Sequence, residues 1–178
     1  VRALKALAAP VGEAQEDGAV GIIQHFAAQL AERAETYGEH TLDVFSCLAH
    51  AGGTRALRRL REEKTAQLMA AVCGRVGLRP GEDPPFLPGA APKAEEAADL
   101  LCALARVGHR DAALSTALSR CLSERLGELD VSRLPALARA LGRGDPSNDF
   151  VLLHGICRRA SAAIDDLDGV SVVALLHL

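Results

Sequence analysis

One short pattern of apolar and small residues recurs along the chain. It reads Leu4-Lys5-Ala6-Leu7-Ala8-Ala9, Phe45-Ser46-Cys47-Leu48-Ala49-His50, Leu101-Cys102-Ala103-Leu104-Ala105-Arg106 and Leu134-Pro135-Ala136-Leu137-Ala138-Arg139, with a looser copy at Val172-Val173-Ala174-Leu175-Leu176-His177. Large apolar residues hold the first and fourth positions and mostly Ala or Cys lies between them. On a helix this makes one narrow face that lets a second helix approach closely. A break follows each of the first four copies, at 10–18, 52–53, 108 and 142–148, and then a longer helical pattern over about 18–36, 54–77, 110–127 and 147–164. In the last two of these, Leu114, Leu118, Leu122, Leu126 and Leu129 are matched by Leu152, Ile156, Ala160, Ile164 and Leu167 at a constant offset of 38 residues.

The junctions repeat as well. Leu42-Asp43-Val44, Leu129-Asp130-Val131 and Leu167-Asp168-Gly169-Val170 each stand just before a short phrase. An Asp there can accept hydrogen bonds from the unpaired amides that open the next helix. Neither helix of such a pair can bury its apolar face alone, so successive pairs must stack. The expectation is an all-α fold: an α-solenoid of helix-turn-helix repeats of about 33–41 residues, one domain over 1–178, and part of a longer array. Because the chain starts and finishes inside a short phrase, a neighbouring repeat or a partner chain is expected against each end. Five of the eight prolines fall at 79–93, which predicts an extended exposed loop inserted between two repeats, with Phe86 and Leu87 as candidates for insertion into a neighbour.

Composition agrees with helices. Of 178 residues 49% are hydrophobic, supplied mainly by Ala and Leu, while aromatics make 3% and Trp is absent. That excludes an ordinary all-β domain and a disordered chain. No apolar run reaches the 18 or so residues a membrane helix needs. Five widely spaced cysteines in Ala/Leu-rich segments, Cys47, Cys73, Cys102, Cys121 and Cys157, suit buried free thiols in a reducing interior better than a disulfide framework.

Variable spacing in a Trp-free chain does not fit tetratricopeptide repeats. The phrases Leu101-Cys-Ala-Leu-Ala-Arg-Val-Gly with His109-Arg110-Asp111, and Leu134-Pro-Ala-Leu-Ala-Arg-Ala-Leu-Gly with Asp145, each followed by an aliphatic helix, resemble another group. They are similar to the heptatricopeptide-type helical repeats of the RAP-domain organelle RNA-binding protein family. The resemblance covers nearly the whole chain outside 78–93, and no α/β RAP domain accompanies it here. It implies binding or stabilising of organellar RNA as part of a mitochondrial ribosome or its assembly, and so a place in the mitochondrial matrix.

The net charge of −3 conceals two opposed regions. Residues 54–79 carry Arg55, Arg58, Arg59, Arg61, Lys64, Arg75 and Arg79 against Glu62 and Glu63, whereas 11–43 carry seven acids against Arg33. Either the basic helix faces RNA phosphates or it pairs with the acidic helix beside it. Arg120, Arg158 and Arg159 extend the basic set onto later second helices. The sixth position of the phrase, occupied by Ala9, His50, Arg106, Arg139 and His177, lies opposite the apolar face and should form a solvent-facing row across neighbouring helices. Such a row can follow a phosphate backbone or an acidic partner, or be an ordinary solvated face. With Phe26, Tyr37, Phe45, Phe86 and Phe150 as the only aromatics, stacking on bases is disfavoured and any RNA contact is to backbone.

Signatures of catalysis fail. His109-Arg110-Asp111 has Thr116 where a kinase loop needs its metal-binding Asn, and reads as a turn. Asp165, Asp166, Asp168 and Gly169 lack the closing Glu of a calcium loop. No Cys-x-x-Cys pair, phosphate loop or nucleophile elbow is present, so no catalytic residue, metal, cofactor or small-molecule substrate is expected. Two functions follow. The first is a non-enzymatic RNA-binding component of a mitochondrial ribosome or assembly complex, contacting rRNA backbone and other protein subunits. The alternative is a protein-only scaffold or accessory subunit of a large mitochondrial respiratory complex.

Overall fold

A computed structural model describes residues 62–78, 85–87, 89, 91–108, 111–143 and 150–176, with isolated positions at 25–26, 28–29, 32, 44–45 and 49. Among these the fold is all-α. The helices are α1 (Glu62–Arg75), α2 (Ala94–Val107), α3 (Ala112–Arg125), α4 (Leu134–Arg143), α5 (Phe150–Ala162) and α6 (Gly169–Leu176), with 3-10 turns at Leu126–Glu128, Val131–Arg133 and Ile164–Asp166. The isolated positions before α1 are helical too. No described helix is long and apolar enough to cross a membrane.

Local chemistry sets the ends of these helices. Glu95 and Glu96 occupy the first turn of α2, where they favour the helix dipole, and Lys93 N donates to Glu96 Oε2 at 3.0 Å. Gly108, at φ 74°, closes α2 in the left-handed conformation that glycine adopts without a Cβ penalty, and its amide donates to Leu104 O at 3.0 Å. Asp111 then caps α3 by accepting from Leu114 N at 3.0 Å. His109-Arg110 lie outside the described residues.

The repeated junctions carry the expected caps. Asp130 accepts from Ser132 N at 2.8 Å, and Asp168 from Ser171 N at 2.7 Å. Asp43 lies outside the described residues. Pro135, which has no amide to donate, falls in the first turn of α4, where that loss costs least.

Burial follows the two registers. Leu101, Leu104, Leu134 and Leu137, the first and fourth positions of the two central phrases, are all buried. On α3 the buried set is Leu114, Ala117, Leu118, Ser119, Cys121 and Leu122, and on α5 it is Leu152, Ile156 and Ala160, which match Leu114, Leu118 and Leu122 at the offset of 38. Helix α2 packs against α3 and α4, α4 against α5 and α6, and α3 against α5.

The Pro-rich segment differs from expectation. Among its described residues, Phe86 and Leu87 lie against the end of α1 rather than projecting: Leu87 N donates to Gly77 O at 2.9 Å, and Leu78 and Phe86 pair as an isolated bridge. Phe86 is 6% exposed and joins the core that contains Met69, Val72 and Val76, so it is not free to enter a neighbour; Leu87 is exposed. Burying a Phe side chain is worth about 1.5–3 kcal/mol, which favours the seated position of Phe86 over an exposed one. Pro92 is buried as well, and its carbonyl accepts from Arg125 Nη1 at 3.1 Å. The cysteines Cys73, Cys102, Cys121 and Cys157 are free, and their burial is uneven: Cys121 is buried, Cys73 and Cys102 are half-buried, and Cys157 is exposed. Cys47 lies outside the described residues.

Candidate functional site

Helices α2 and α4 run beside each other and leave a cleft of about 150 Å³ between them, lined among the described residues by Cys102, Ala105, Arg106, Ala136, Arg139 and Ala140. Arg106 and Arg139 are the sixth residues of two successive phrases, 33 positions apart in sequence. The packing of one phrase helix on the next is what brings them to one place. The remaining lining is small: three alanines and a thiol.

Arg106 is half-buried rather than fully turned to solvent, and its Nη1 is buried with no hydrogen-bond partner among the described residues. A buried guanidinium nitrogen without an acceptor costs roughly 1–3 kcal/mol or more. Arg139 is exposed, and its Nε donates to Pro135 O at 3.3 Å. None of the described lining residues is acidic. The carboxylate that acts on Cys102, Asp99, is paired with Arg133, whose Nη1 donates to Asp99 Oδ1 at 2.6 Å. That bond holds the Arg133 guanidinium above its ordinary pKa.

Cys102 senses the same surroundings. Burial pushes its thiol up to about 11; Arg106, Arg133 and Arg139 pull the other way and Asp99 adds to the rise. Desolvation wins over three cations, so at neutral pH the thiol is protonated. It is a neutral wall of the cleft and a slow nucleophile. What this arrangement can do chemically is hold an anion: two cations lining one cleft, with donors that cannot accept and no acid among the described lining residues.

The other basic residues of the sequence reading are placed differently. Arg120 is exposed on α3 with its Nε 3.6 Å from Glu124 Oε1. Arg158 is exposed on α5, whereas Arg159 turns inward and donates to the carbonyl of Leu126, a structural tie between successive pairs. Lys64 lies on α1. His50, His177, Arg55, Arg58, Arg59 and Arg61 lie outside the described residues. A second cleft, of about 250 Å³, lies between the loop at 85–91 and α3, but its cations are matched: Arg120 stands beside Glu124, and Arg125 Nη2 is 3.0 Å from Glu128 Oε2.

The residues the sequence reading missed are Cys102, Asp99 and Arg133. One signal existed. Asp99 and Arg133 are opposite charges 34 positions apart, close to the repeat length, which places them on adjoining helices if repeats stack in register.

No protein-family model matches the chain, and comparisons with curated proteins and with solved structures find no significant match.

Proposed function

We propose that this chain is a segment of an α-solenoid that binds RNA through its phosphate backbone, as a non-enzymatic component of a mitochondrial ribosome or its assembly complex. One observation carries the reading. Phrase helices pack on phrase helices (α2 on α4 on α6) and second helices on second helices (α3 on α5), and this order sets Arg106 and Arg139 side by side. A stack built this way presents corresponding side chains as a line, with neighbouring helices about 8–10 Å apart. Basic residues in such a line suit a strand of phosphates, and the 3% aromatic content argues against reading bases. The organellar setting rests on the resemblance of the phrases alone.

The test is binding of organellar rRNA fragments against salt concentration. Affinity that falls steeply as salt rises supports the reading, because each neutralised phosphate releases counterions. No binding at low salt contradicts it.

A second reading is favoured by a different observation. Phe150, Val151, Val170 and Val173 on α5 and α6 are 53–79% exposed, more apolar surface than an isolated helical pair needs to show. That suits a protein-only scaffold or accessory subunit of a large mitochondrial complex. Reversing Arg58, Arg59 and Arg61 to Glu separates the two: a scaffold that uses the α5–α6 face assembles normally, and an RNA component loses affinity.

A further inference from the structure

The geometry points to a phosphate site in the α2–α4 cleft, in which Arg106 and Arg139 grip one tetrahedral phosphate group. This rests on the reading of the cleft as the ligand face, and it adds that the two arginines converge on a single phosphate group, which a free phosphate monoester can also supply.

Three features select the class. Arg106 Nη1 is buried without an acceptor, so the cleft holds a donor that a bound oxygen would satisfy. Arg139 uses only Nε within the chain, toward Pro135 O, among the bonds of the described residues, which leaves its two terminal nitrogens for the same ligand. Asp99, the carboxylate that acts on Cys102, does not line the cleft and is paired with Arg133 at 2.6 Å. Two guanidinium forks meeting in one cleft match an anion that offers several oxygens in different directions, which a phosphate does and a planar carboxylate does only in one plane.

The small lining residues set the depth of the site. Ala105, Ala136 and Ala140 leave a volume of about 150 Å³, ample room for one phosphate group beside the two arginines. Cys102 contributes no charge that would repel the ligand, because burial keeps its thiol protonated. The phosphate can come from the RNA backbone or from a free phosphate monoester, and the chemistry of recognition is shared.

Cys102 also supplies the readout. The whole chain is treated with iodoacetamide for hours at pH 9.5, where enough of the Cys102 thiol ionises to react, with and without inorganic phosphate, and alkylation at each cysteine is followed by peptide mass. Exposed Cys157 serves as the internal control. Phosphate is expected to slow labelling of Cys102 and not of Cys157, and to raise the melting temperature. In R106Q and R139Q the phosphate affinity is expected to fall by about 10-fold or more, the size expected for a lost bond to a charged group. Because neither arginine anchors another side chain among the described residues, and Arg106→Gln removes a buried donor that has no acceptor, neither variant should lower the ligand-free melting temperature. R106K, which keeps the charge and loses the fork, should fall between. If either glutamine variant does not fold, R106K decides the matter.

Phosphate that protects neither chain, or that protects wild type and the R106Q/R139Q chain equally, overturns the site. A parallel arm uses a single-stranded RNA. Protection of Cys102 by phosphate without RNA binding supports the site and removes RNA as its source. RNA binding whose affinity is unchanged in R106Q/R139Q, with no protection by phosphate, overturns the site and leaves the RNA reading standing.

Discussion

Two corners of this molecule have the same local structure and different surroundings. After α3 the chain makes a 3-10 turn at Leu126–Glu128 and reaches Asp130, and after α5 it makes one at Ile164–Asp166 and reaches Asp168. Both aspartates accept an amide hydrogen bond from a nearby serine. Yet Leu129 is fully buried while its counterpart Leu167 is only partly so, and Leu126 is half-buried while Ile164 is 53% exposed. The difference is α5. Gly155 lies so close to Leu126 that a Cβ there would stand 3.0 Å from Leu126 Cδ2, and Arg159 donates to the Leu126 carbonyl. Local sequence therefore writes the corner, and the next helical pair decides whether its leucines are core or surface.

The largest effect expected from this comparison is at the buried leucines. Leu129→Ala should cost about 2–5 kcal/mol, whereas Ile164→Ala should cost less than about 1 kcal/mol, because little area is lost and no closed cavity forms. Urea unfolding of the two variants measures the gap, and equal costs would mean that the corners are packed alike.

Next comes the contact that separates them. Gly155→Ala gains about 0.8–1 kcal/mol of helix propensity but presses on Leu126. In a Leu126→Ala background the press is gone, so Gly155→Ala should stabilise that chain by about 1 kcal/mol and the wild-type chain by less. The equivalent position on α3 is already Ala117, buried. A cycle without coupling would remove α5 as the cause of the difference.

Capping is a comparable or smaller effect. Asp111→Ala should lower stability by about 1 kcal/mol, and Asp111→Asn by much less, since Asn also accepts from Leu114 N.

Acid should loosen the two corners alike. The Ser132 hydroxyl and amide hold Asp130, and those of Ser171 hold Asp168, below the ordinary carboxylate value of 3.8. A folded-state pKa below the unfolded one means that the stabilisation is complete above that value and is lost as pH falls below it toward the folded pKa. Melting temperature should therefore decline with acidification below about pH 4, and the double Asp130→Asn, Asp168→Asn chain should lose part of that slope. An unchanged slope would assign the acid sensitivity elsewhere.

How far the sequence carried these features depends on their range. The second helices expected over 110–127 and 147–164 are α3 and α5 to within a few residues at each end, because the 38-residue leucine register and the flanking Gly and Asp act within one turn of chain. The caps at Asp130 and Asp168 were readable for the same reason. The surroundings of Phe86 were not: proline marks where a helix stops, not whether the following aromatic finds a core. Nor was the half-burial of Arg106, which depends on how closely α4 approaches α2, a distance that the small residues of both phrases permit but do not set. Arg159 was grouped with RNA-facing cations on charge alone, and packing turned it toward Leu126 O.

The most direct test of the account is the salt dependence of RNA affinity in wild type and in the R106Q/R139Q chain. For a single strand each neutralised phosphate adds about 0.7 to the slope of log K against log salt concentration, so loss of the one phosphate that both arginines grip should flatten it by about 0.7. RNA binding with that change would support a line of cations built by stacked repeats. An identical slope in both chains, or no RNA binding by the wild type at low salt, would contradict it.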